Sequence, residues 1–120
     1  MWVYEITTYT MRHDDVVVAT GYSGAGDDKN KPADENVKNM GPLPEGTYSI
    51  GDPIDTKDHG PYVLPLTPDA SNKMYGRSGF LIHGDSIKAP GTASKGCIIL
   101  PHDARVAIHV SGDKVLEVKV

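Results

Sequence analysis

Apolar and polar positions alternate from the first residues: Trp2, Tyr4 and Ile6 interleave with Val3, Glu5 and Thr7. Aromatic and β-branched side chains at a period of two suit a half-buried strand, predicted over residues 2–10. Arg12-His13-Asp14-Asp15 is polar and turn-like and the apolar run Val16 to Thr20 follows it, so a hairpin is the economical reading. The pattern then lapses. Residues 21–42, GYSGAGDDKNKPADENVKNMGP, mix glycine, charge and Pro32 with little periodicity and read as a long loop, of a length that is usually functional or mobile. Pro42, Pro44 and Gly46 precede the run Thr47 to Ile50, a turn that feeds a strand at a sheet edge. Val63 to Leu66 reads as another short strand, and Gly79 to His83 as a buried strand that delivers His83 at its end. Ile98-Ile99-Leu100 also has the character of a buried run. Pro101 in a first turn, Asp103 near its positive end and Gly112 as a stop predict one helix near residues 102–110. In the tail, Leu116, Val118 and Val120 alternate with Glu117 and Lys119, a strand with one wet face.

Composition narrows this picture. A chain of 120 residues fits a single domain, 1–120, because two independent cores would each bury too little surface. Thirteen Gly and nine Pro interrupt long helices, so the fold class is mainly β with one short helix. A net charge of −4 offers no positive field for a phosphate backbone, and no stretch interleaves Arg or Lys with aromatics, which argues against nucleic acid. No run of eighteen or so apolar residues occurs, so no membrane insertion is expected; nor does the start show a basic region followed by an apolar one, so no secretion signal is expected. One cysteine excludes an internal disulfide and a Cys-rich zinc site.

That cysteine is where chemistry concentrates. Cys97 lies fourteen positions after His83, and an adjacent imidazole would make it a thiolate by forming an ion pair. Gly96 permits a tight turn whose N–H groups would meet a carbonyl oxygen, and Gly84 leaves the imidazole uncrowded. A free cysteine is equally a small buried side chain, and the residues alone leave both readings open. Other candidates are weaker. GYSGAG lacks the Gly-Lys-Ser/Thr ending of a phosphate loop and reads as turns. His83, Asp85, His102 and Asp103 have no metal-ligand spacing, so no metal or other cofactor is expected. His59, in a Gly-Pro turn, could line a cleft but reads rather as a solvated loop histidine, and His13 and His109 as structural or exposed.

Taken in order, GYSG, GPLPEGTYSIG, HGPYVLPL, RSGFLIHGDS, ASKGCIILP and SGDKVLEV resemble the small L,D-transpeptidase-like family named for the effectors of type VI secretion, related to the L,D-transpeptidase catalytic domain. The resemblance implies a curled mixed sheet around the site, Cys97 as nucleophile, His83 as base and Gly84 as the carbonyl that orients the ring. Ser94 and Gly96 match the Ser and Gly of the family's Ser-His-Gly-Cys motif, with the Gly96 and Cys97 N–H groups as oxyanion hole. Lys95 replaces the motif histidine, and Ile99 stands where an arginine often follows. Arg77, Lys88 and Lys95 are therefore candidates for the substrate carboxylate, Asp85 and Ser86 either shape the mouth of the site or close a turn, and Tyr62 is a further substrate-binding candidate. The implied activity is acyl transfer on a peptidoglycan stem peptide, as an L,D-carboxypeptidase or by D-amino acid exchange. An antibacterial effector of that kind would act in the periplasm and would have a cognate immunity protein. The alternative is a wall-binding module without turnover. A general cysteine protease is disfavoured because no third orienting Asn or Asp stands at a recognisable spacing.

Overall fold

The computed structural model describes residues 1–120, with ten strands and one α-helix. Strand β1, Trp2–Glu5, turns Trp2 and Tyr4 inward, as the alternation predicts. It is shorter than the predicted 2–10, because Tyr9 adopts a φ of 49° and its N–H closes a turn on the Ile6 carbonyl at 3.3 Å. Thr and Tyr favour strands, and that disguises the turn in the sequence. The hairpin follows: β2, Thr10–His13, and β3, Val16–Thr20, are joined by Asp14 and Asp15, both at positive φ, as a tight two-residue connection requires.

The presumed long loop holds a two-residue strand, β4, Tyr22–Ser23, and two short 3-10 turns. Then come β5, Gly46–Ile50; β6, Ile54–Thr56; β7, Gly60–Pro68; β8, Leu81–His83; and β9, Ile98–Ile99. Helix α1 spans His102–Val110, with Pro101 as its N-cap rather than inside its first turn, and Gly112 lies beyond its end at φ 73°. The last strand, β10, covers Val115–Lys119.

Strand order is β3-β2-β1-β10-β5-β7-β8-β9-β4, with β6 paired to β7. The sheet is mixed, since β10 runs parallel to β1 and β9 parallel to β8 while the other pairs are antiparallel. Curled on itself with one helix against it, it matches the mainly β class expected. One expectation fails: β5 lies between β10 and β7, not at an edge. The edge falls instead to β3, whose Val16, Val17 and Val18 are exposed. Seventeen buried side chains form one core, among them Trp2, Tyr48, Leu64, Ile82, Ile98 and Ile108. Each fully buried large apolar side chain contributes roughly 1.5–3 kcal/mol, so this core fixes the β8–β9 pair firmly. No helix is long and apolar enough to cross a membrane.

Candidate active site at the end of strands β8 and β9

Parallel pairing sets Ile82 opposite Ile98 and His83 opposite Ile99. Ile82 and Ile98 are fully buried in the core, so the alternation of a strand sends Leu81, His83 and Ile99 to the other face, and Cys97 immediately precedes β9. The loop from Gly84 to Gly96 carries the chain back between these parallel strands, and side chains anchor it. Asp85 accepts hydrogen bonds from the Tyr22 hydroxyl at 2.6 Å and from the N–H groups of Ser86 and Gly91 at 2.8 and 3.1 Å. Burial pushes the Asp85 carboxyl up, but these donors outweigh it and hold the group below the usual carboxylate range. The Tyr22 phenol is pushed up to about 12 by burial and by that carboxylate, so it remains a donor. Ser94, fully buried, accepts from Gly24 N–H at 2.9 Å and Gly96 N–H at 3.0 Å and donates to the Cys97 carbonyl at 2.6 Å. GYSG is therefore part of the site's frame and not merely turns: Ser23 also donates to the Gly96 carbonyl at 2.8 Å.

His83 is buried, and its Nδ1 lies 2.8 Å from the Gly84 carbonyl. A carbonyl only accepts, so Nδ1 carries the proton and the neutral ring keeps its lone pair on Nε2. Nε2 is buried without a hydrogen-bond partner. Burial pulls the His83 pKa below its ordinary value, the Gly84 carbonyl opposes this, and the charges of His59 and Arg105 add to the lowering. The Cys97 thiol, half-buried, accepts the Leu81 N–H at 3.3 Å. Burial raises its pKa, against the Leu81 N–H and the Arg77 charge. Both shifts favour a neutral thiol and a neutral imidazole over the expected thiolate–imidazolium pair, and no hydrogen bond joins the two side chains.

Several sequence candidates take other places. Gly96 N–H is committed to Ser94 Oγ and is not free for a carbonyl oxygen. Gly96 itself stands at φ 130°, and a Cβ there would lie 2.5 Å from Arg77 Nη2 and 2.7 Å from Phe80. Arg77, expected to hold a substrate carboxylate, is buried and donates to the carbonyls of Glu35, Gly41, Pro42 and Lys95 at 2.5–3.1 Å. That is a structural staple. Lys95 is exposed and sits with Arg77 on a separate small depression.

A cavity of about 940 Å³ opens beside His83. Asp85, Ser86 and Lys88 line it, whereas Tyr62 and Cys97 do not. Tyr62 instead meets His102 edge-on at 5.4 Å. Two residues gain importance. His59, exposed in its loop as expected, lies over His83 with ring centroids 4.2 Å apart and planes tilted by 33°, and it lines the cavity. Arg105, from the buried face of α1, lines it as well and donates from Nη1 to the carbonyls of Pro61 and Tyr62 at 2.9 and 3.0 Å. The helix was foreseen but not which of its faces meets Gly84, and only that placement reveals Arg105. No three His, Cys, Asp or Glu side chains are grouped as a metal site would need.

Among known proteins, the family model described as the Tlde1 domain matches residues 17–118, which include His83, Cys97 and the whole cavity wall. No curated protein matches the chain.

Proposed function

We propose, for a chain that belongs to the Tlde1 domain family of type VI secretion L,D-transpeptidase effectors, that Cys97 performs acyl transfer on peptidoglycan stem peptides with His83 as its base. The observation that carries this reading is the hydrogen bond from His83 Nδ1 to the Gly84 carbonyl, which leaves a buried, partnerless Nε2 as the ring's acceptor on a strand paired in parallel with the one that follows Cys97. With both groups neutral at rest, the thiol gives its proton to Nε2 as Sγ attacks the carbonyl of the diamino acid joined to D-alanine. The Leu81 N–H donates to Sγ and favours the developing thiolate. The imidazolium returns the proton to the departing D-alanine amine, and a thioester remains on Cys97. Water, a free D-amino acid or a second stem amine then resolves it, giving trimming, exchange or cross-linking. As an effector, the protein would act in the periplasm of a target cell and would be matched by an immunity protein.

Incubation with a disaccharide-tetrapeptide, with products resolved by mass, tests this. Wild type releases D-alanine and Cys97→Ala does not; added D-amino acids reveal the acceptor. Equal release by both proteins, or by neither, removes Cys97 from the reaction. A second reading, a wall-binding module without turnover, is favoured by the position of Cys97 outside the cavity lining. It predicts intact peptide with wild type at every pH, and binding to wall material that Cys97→Ala leaves unchanged.

A further inference from the structure

Arg105 is a buried cation without a carboxylate partner, 6% exposed and in no ion pair. Of its donors, only Nη1 is used, by Pro61 and Tyr62. Nε is buried with no partner, and Nη2 has none either, lying where a Cβ on Gly84 would come within 2.9 Å. Nε and Nη2 form one edge of the guanidinium, the edge whose two parallel N–H bonds match the two oxygens of a carboxylate. A buried unpaired charge is costly unless something compensates it, and an orphaned donor adds to that cost. The acidic groups of the same cavity do not provide the compensation. Both Asp58 and Asp85 are exposed, and Asp85 is committed to Tyr22, Ser86 and Gly91. The contrast with Arg77, whose Nη1 and Nη2 both bond to carbonyls, marks the empty edge of Arg105 as unusual within this same chain.

We propose that the Nε–Nη2 edge of Arg105 is the carboxylate anchor of the His83 cavity, and that the peptide donor enters with one free carboxylate paired to it. This assigns to α1 the recognition that the family motif lodges two positions after the cysteine, where this chain has Ile99. It rests on the reading that the stem peptide occupies the cavity, and not on turnover by Cys97. Two carboxylates of a stem peptide qualify, the C-terminal one of D-alanine and the side-chain one of the diamino acid.

The test is therefore binding, measured by calorimetry in the Cys97→Ala protein, which cannot consume its ligand. Three tetrapeptides are compared: unmodified, amidated at the C-terminus, and amidated at the diamino acid side chain. One amidation should weaken binding on the order of tenfold or more and identify the carboxylate that Arg105 holds. In Cys97→Ala/Arg105→Lys, which keeps the charge but loses the fork, the same amidation should change affinity less than about threefold. A melting curve and amide NMR spectrum establish that this variant is folded. If it is not, competition by acetate against the unmodified peptide in Cys97→Ala alone decides: competition supports the anchor and its absence overturns it. Equal affinity of all three peptides for Cys97→Ala, no binding of any, or an amidation penalty that persists in the folded Lys variant overturns the proposal. Failure of turnover with the amidation penalty intact would instead overturn only the catalytic reading.

Discussion

Two buried arginines flank the β8–β9 pair, and the same side chain serves opposite ends at the two places. Arg77 lies on the Cys97 side, where its guanidinium ties residues 35, 41, 42 and 95 together through their carbonyls. Arg105 lies on the His83 side and lines the cavity, where two carbonyls steady Nη1 while Nε is buried without a partner. Four carbonyl bonds make the first a part of the fold; a buried Nε without a partner makes the second a part of the site. The same division separates Gly96, wedged against Arg77 and Phe80, from Gly84, whose carbonyl sets the His83 tautomer.

The comparison breaks most sharply at Arg77. Its replacement by alanine strands four carbonyls, two of its bonds being to the buried residues Gly41 and Pro42, and should cost on the order of 3–5 kcal/mol in urea unfolding. A loss below about 1 kcal/mol would show that the staple is dispensable. Next comes Gly96→Ala, strained by its φ and by contact with Arg77 and Phe80, with an expected loss of about 2–4 kcal/mol by the same assay. Arg105→Lys should cost less, about 1–2 kcal/mol, because only two carbonyls lose their donors and an orphaned Nε–H disappears. If it destabilised as strongly as Arg77→Ala, the distinction between staple and anchor would be lost.

The smallest effect is in the pH dependence of stability. Burial lowers the folded-state pKa of His83, so on acidification the unfolded chain binds its proton first. That contribution is intact above about pH 6.5, declines below it, and stops declining at the lower folded-state value. Cys97 has the opposite sign of shift, so the unfolded chain loses its thiol proton first and stability falls as pH rises past the ordinary thiol range. Urea midpoints across this range should lose their alkaline decline in part in Cys97→Ala and their acid decline in part in His83→Gln. Unchanged slopes in both variants would contradict the neutral resting pair.

Local chemistry explains what the sequence made legible. Pro101, Asp103 and Gly112 bracket the helix, the alternation after Lys114 predicts β10, and His83 stands at the end of its strand as expected. Each of these signals lies within a few residues of what it specifies. Strand adjacency does not: β5 is central because β10 returns from the far end of the chain to pair with it. Three prolines hid the length of β7, which nonetheless runs from Gly60 to Pro68. The nucleophile and base candidates could be picked from spacing and resemblance. The protonation states could not, since they follow from burial among residues distant in sequence. Arg77 and Arg105 were indistinguishable until their carbonyl partners, up to 44 positions away, were in place.

The central claim is acylation of Cys97 with His83 as base, and intact-mass spectrometry of the protein during reaction with tetrapeptide tests it most directly. A mass increase equal to the acyl tripeptide, located on Cys97, absent from Cys97→Ala and formed at least about a hundredfold more slowly in His83→Gln, is the predicted result. An unmodified wild-type protein under conditions where D-alanine is released, or an adduct formed at the same rate in His83→Gln, would contradict it.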